Sequence, residues 1–142
     1  MALREYGMNF GIAFQIVDDY LDIIGEEKKM GKTPGQDIGV GEMTLPILNL
    51  LESVSGGEKK KLKRLLTLKN NKDALRRIKS RIFNRDIKGE TIQTASFYID
   101  LAKEKINKLS SSPYKEGLLN LADFIMSNEA MSYGRKGQAR KI

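Results

Sequence analysis

Apolar residues return at helical intervals along almost the whole chain. Ala13, Ile16, Val17, Tyr20, Leu21, Ile23 and Ile24 share one side of a helix; Leu75, Ile78, Ile82 and Phe83 repeat the spacing, as do Ala95, Tyr98, Ile99, Ala102 and Ile106. The pattern predicts helices over about 3–24, 44–53, 58–68, 72–84, 88–109 and 114–127. Pro46 suits the first turn of the second of these. Ser55-Gly56-Gly57, Asn70-Asn71, the Arg85-Asp86 region and Ser110-Ser111-Ser112-Pro113 separate the rest. No segment reads as a strand. The expectation is an all-α helical bundle forming a single domain over residues 1–142, with a frayed basic tail at 134–142.

One helix breaks the apolar rule in an ordered way. In Phe14-Gln15-Ile16-Val17-Asp18-Asp19-Tyr20-Leu21-Asp22, three carboxylates and an amide interrupt an apolar run. At about 100° per residue, Gln15, Asp18, Asp19 and Asp22 share an arc about 100° wide, opposite the apolar residues. No Lys or Arg lies within a turn to pair with them. Clustered hard oxygens suit a divalent cation such as Mg²⁺, which shares its remaining positions with water and phosphate oxygens. The plainer alternative is an amphipathic helix with a solvated acidic face. Tyr20, beside the acids, packs in the core or steadies a cation through its ring; packing is favoured.

The segment from Gly25 to Gly41 holds five of the thirteen glycines and reads as one shaped loop. Lys32, between Gly31 and Thr33, can approach a phosphate closely, and its compact ammonium complements the acidic stripe. The Gly31-Lys32-Thr33 triplet does not make a nucleotide P-loop. That pattern needs a glycine five residues before the Gly-Lys pair and a preceding strand, whereas position 26 is Glu and the segment before it is helical.

Taken together, Gly11-Ile12-Ala13-Phe14-Gln15, Asp18-Asp19-Tyr20-Leu21-Asp22, Gly25, Gly31-Lys32, Gly35-Gln36-Asp37 and Thr44-Leu45-Pro46 resemble the second aspartate-rich region of the trans-isoprenyl diphosphate synthases, or polyprenyl synthetases. The resemblance continues more weakly through the helices around Ala95 and Leu118. It implies the C-terminal part of the isoprenoid synthase fold and a prenyltransferase activity. In that family an allylic diphosphate ionises, the double bond of isopentenyl diphosphate captures the carbocation, and a proton is lost. The resemblance further implies that Asp18, Asp19 and Asp22 serve a Mg²⁺ ion bridging the allylic diphosphate, with Asp18 and Asp22 as direct or water-mediated ligands. Gln15 is then a catalytic residue lining the same cavity, Lys32 the catalytic lysine on the diphosphate, and Asp37 an acid that helps orient the site. Dimerisation or a hetero-oligomer is suggested by resemblance alone.

The chain departs from the family in two ways. No first aspartate-rich motif faces the second, and the scattered Asp73, Asp86, Asp100 and Asp123 do not replace it. The sequence therefore looks like a C-terminal half, inactive or nearly so alone: a truncated gene product, an excised fragment, or one piece that works with a chain supplying the other half. Glu42 also stands where many relatives carry lysine, which is unfavourable if it faces diphosphate. Both departures keep a second reading open: a noncatalytic or regulatory helical subunit that pairs with a complete synthase.

Composition narrows the chemistry. With no His and no Cys among 142 residues, a histidine-dependent triad, a thiol enzyme and a disulfide scaffold are all excluded. No apolar run is long enough to span a bilayer and no signal peptide opens the chain, so a cytoplasmic protein is expected. The net charge of +7 raises nucleic acid as a partner through Lys59-Lys60-Lys61, Lys63-Arg64, Arg76-Arg77 and the tail. No aromatic platform or helix-turn-helix accompanies these clusters, so they read as solvated faces and no nucleic acid is expected. Met8, Met30, Met43, Met126 and Met131 read as core filler or loop residues.

Overall fold

The computed structural model describes residues 1–24 and 35–127. Among them are seven helices and no strand: α1 (Ala2–Ile24), α2 (Gln36–Val40), α3 (Leu45–Glu52), α4 (Gly56–Leu66), α5 (Lys72–Asn84), α6 (Ile87–Asn107) and α7 (Pro113–Met126). Contacts divide the chain into two compact units, one made of Met1–Val17 and the segment from Ile92 on, the other of Asp18–Thr91. The tail at 134–142, Met30 and Met131 lie outside the described residues.

In the first unit, Tyr6 and Ala13 of α1, Ile99, Ala102 and Ile106 of α6, and Ala122 and Ile125 of α7 form one core. The Tyr6 hydroxyl donates to the Leu118 carbonyl at 2.7 Å, so its polar end is satisfied while its ring packs. Ser112 caps α7 by accepting from the Lys115 amide at 3.2 Å, with Pro113 in the first turn. The Lys115 ammonium turns back to the Asn107 and Leu109 carbonyls, 2.9 Å from each, and closes the end of α6. Met126 is half-buried beside this core, whereas Met8 is exposed on α1 and fills no core space.

The second unit is built on α3, α4 and α5, which pack on one another. Ile47 and Leu50, Leu62, Ile78 and Ile82 are fully buried there. Asn71 caps α5 by accepting from the Ala74 amide at 2.9 Å. The Arg85 guanidinium donates to the Ser53 carbonyl at 3.0 Å and to the Glu58 carboxylate at 2.7 Å, tying the end of α3 to the first turn of α4. The Thr91 hydroxyl, buried in the first turns of α6, donates to the Ile87 carbonyl at 2.7 Å and accepts from the Asn49 amide at 3.4 Å.

Two boundaries differ from the expectation. The segment read as a continuous glycine loop contains α2, because Gln36-Asp37-Ile38 is a glycine-free run between glycines and Ile38 is buried. Gly35 at φ 78° begins the turn and Gly41 at φ 87° ends it, through hydrogen bonds from Gly39 to Gly35 and from Gly41 to Ile38. The Ser55-Gly56-Gly57 break is also the entrance of α4, with Ser55 at the N-cap.

Gly35 is held by two independent constraints. Its φ is in the left-handed region, and a Cβ there would overlap the Leu75 methyl groups of α5. Gly35→Ala is expected to lower stability in urea by about 1–3 kcal/mol, from backbone strain and overpacking together. Adding Leu75→Ala opens space at the same point, so the double variant loses less than the sum of the single losses; strict additivity would show that the two residues do not press on each other.

Candidate functional site

The acidic stripe lies where α1 enters the second unit. Its apolar back is buried as the helical spacing requires, with Ile16, Val17, Tyr20, Ile23 and Ile24 all in the interior. The polar face is uneven. Gln15 is exposed, Asp18 and Asp19 are half-buried, and Asp22 is 2% exposed. The difference arises because later parts of the chain close over the acidic face at the last turn of α1. The Asp22 carbonyl accepts the Gly35 amide at 2.7 Å, and Leu75 of α5 lies against Gly35.

One turn further along α5 stands Lys79, half-buried. Burial pushes its ammonium below the usual lysine range, and the Asp22 carboxylate pulls it partly back. Sequence reasoning found no cation within a turn of the stripe and missed this one, which arrives from a distant helix. Its signal was faint: Lys79 follows Ile78 and stands four residues after Leu75, at the margin of the α5 apolar face.

Tyr20 is 1% exposed, so packing is its role. Burial pushes its hydroxyl up to about 12, and the nearby Asp86 charge adds to the effect. Asp86, at φ 50°, precedes α6 and accepts the Gly89 amide through Oδ1 at 3.3 Å. A Cβ on Gly89 would stand 2.9 Å from Asp86 Oδ2, so the glycine leaves room for that carboxylate.

Of the other expected site residues, Lys32 lies outside the described residues. Asp37 falls in α2, and its side chain is likewise outside the described part. Among the described residues no three acidic side chains converge as a cation cage. Side chains at successive positions of a helix diverge by about 100°, and Asp22 is turned into the protein, so a cation here would need oxygens from elsewhere. The half-buried Asp18 and Asp19 carboxylates are hard donors of the kind Mg²⁺ takes beside water and phosphate oxygens. Glu42 and Met43 are exposed in the connection before α3. Of the basic clusters, Arg76 and Arg77 are exposed and both meet Asp73, at 2.7 and 2.9 Å. No helix of the described residues is long and apolar enough to cross a membrane.

The described residues, all in helices and connections, superpose on solved prenyl synthases. The geranylgeranyl pyrophosphate synthetase of Pyrococcus horikoshii superposes with a TM-score of 0.78 at 32% identity, over 89% of this chain and 38% of that one. The polyprenyl synthase of Caulobacter crescentus, complexed with calcium and isoprenyl diphosphate, superposes with a TM-score of 0.77 at 33% identity, over 89% and 39%. The short chain isoprenyl diphosphate synthase of Methanothermobacter thermautotrophicus is 36% identical over 129 residues, 90% of this chain and 39% of that protein. The chain belongs to the polyprenyl synthetase family, whose model, described as Polyprenyl synthetase, matches residues 1–83 and thus the whole stripe. It spans about two fifths of the length of the curated relatives it matches.

The Tyr20 environment gives a pH dependence. Its folded value, about 12, lies above the ordinary 10.0, so the folded state holds the proton more tightly than the unfolded chain. The resulting stability is fully present below pH ~10 and is lost as pH rises towards ~12, by about 1 kcal/mol per unit. Tyr20→Phe is expected to flatten this part of the urea stability profile relative to the parent chain. Parallel profiles would show that the hydroxyl titrates normally.

Proposed function

We propose that this chain supplies the second-motif part of a Mg²⁺-dependent prenyltransferase site of the polyprenyl diphosphate synthase type, joining an allylic diphosphate to isopentenyl diphosphate. The observation that carries this reading is the stripe of Asp18, Asp19 and Asp22 on a helix whose back is buried, within the segment matched by the family. Asp18 and Asp19 present carboxylate oxygens at the surface of α1, where they can orient a cation and its diphosphate. Lys32 neutralises diphosphate oxygens, Gln15 lines the same cavity, and Asp37 helps orient the site. When bound, Mg²⁺ would offset the charge that grows on the leaving diphosphate as the allylic C–O bond breaks. The barrier lies in separating charges, so no nucleophilic side chain is required, in keeping with a chain free of His and Cys.

These 142 residues contain no first aspartate-rich motif, and on this reading they are inactive alone and work in the cytoplasm together with a segment that provides one, whether from the same protein or from a partner. Exposed Glu42, replacing a lysine common among relatives, supports a second reading in which the chain is a noncatalytic or regulatory partner of a complete synthase.

An assay with Mg²⁺, an allylic diphosphate and labelled isopentenyl diphosphate separates the two readings. Turnover is expected to be absent for the chain alone and to appear on mixing with a first-motif chain. It should then fall by about 10²–10³ in Asp18→Ala, the loss expected when one electrostatic contact to the reacting group is removed. Unchanged turnover in that variant would exclude the catalytic role and leave the regulatory one.

A further inference from the structure

Asp22 occupies the middle of the acidic arc, yet it is 2% exposed while Asp18 and Asp19 on either side are half-buried. A carboxylate removed from water needs a compensating charge or several hydrogen bonds, because an uncompensated buried ion costs several kcal/mol. The backbone shows which part of the chain closes over this residue. The Asp22 carbonyl is bound by the Gly35 amide at 2.7 Å, Gly35 has no side chain because Leu75 fills its place, and Leu75 and Lys79 are one turn apart on α5. The face of α5 that closes over the end of α1 therefore carries a lysine. Its long stem can stay among apolar neighbours while its ammonium reaches the carboxylate. The electrostatic influence of Asp22 on Lys79 agrees with this placement.

We propose that Lys79 is a positioning residue for the acidic stripe: its ammonium holds the Asp22 carboxylate towards α5, so that Asp18 and Asp19, and not Asp22, meet the cation. The proposal rests on reading the stripe as a divalent-cation site. Asp22 then acts through position and charge, anchoring the last turn of α1 so that the two carboxylates before it are presented in a fixed orientation. Lys79 contacts neither cation nor diphosphate. It sets the negative charge available at the stripe by neutralising one acid of three.

The test uses the 142-residue chain and Mn²⁺ alone, with free Mn²⁺ read by electron paramagnetic resonance. Asp18→Asn should weaken binding at least about tenfold, whereas Asp22→Asn should change it less than about threefold. Lys79→Met should release the Asp22 carboxylate and strengthen binding at least about threefold, Lys79→Arg should match the parent, and the gain should vanish when Asp22→Asn is also present. A loss in Asp22→Asn equal to that in Asp18→Asn would overturn the proposal, since Asp22 would then be a ligand. A gain from Lys79→Met that survives in the Asp22→Asn background would also overturn it, because it would report a plain field effect. If the parent chain binds no Mn²⁺, the cation-site reading fails, and a urea cycle over Asp22→Asn, Lys79→Gln and the double variant decides the contact itself. Coupling of at least about fivefold in the folding constant supports the contact, and strict additivity removes it.

Discussion

The helix that carries the acids is anchored by a buried carboxylate at its end. Asp22 lies inside the protein, its carbonyl held by Gly35 and its side chain within the influence of half-buried Lys79. Backbone and packing meet there: Gly35, in the left-handed region, lies against Leu75 of α5. The more open carboxylates gain their orientation from this closed one. A stripe that was solvated throughout would leave each acid free to choose its rotamer and would hold a multivalent partner less tightly.

Much of the fold was legible in the sequence because local and tertiary signals agree. The span of α5 follows from Leu75, Ile78 and Ile82 at helical spacing after the Asn70-Asn71 break, where Asn71 caps the helix. The span of α1 follows from its apolar back. The short helix α2 was hidden, since glycine density over the whole segment outweighed the three residues between glycines that form its first turn. The unequal burial of the acids was hidden for another reason. A helical projection treats Asp18 and Asp22 as near equivalents, and only the arrival of Gly35 and α5 over one turn distinguishes them. Lys79 was barely legible on the same account: the charge it meets is remote in sequence, and its place at the margin of the α5 apolar face is the sole local hint.

The surplus of cations also has a structural use. Two basic side chains end helices: Lys115 closes α6, and Arg85 closes α3 while meeting Glu58. Carbonyls at a helix C-terminus carry partial negative charge, so this placement stabilises the termini as well as satisfying acceptors.

The pairing of Asn49 with Thr91 fixes the identity of an atom. The threonine hydroxyl has a single hydrogen, already given to the Ile87 carbonyl, so only lone pairs remain to face α3. Asn49 must therefore present its nitrogen and keep its oxygen turned elsewhere. Spontaneous deamidation at this position would replace a donor with an acceptor of nearly identical shape. Oxygen would then confront oxygen, and α3 would lose its polar tie to the first turns of α6 without any change in bulk.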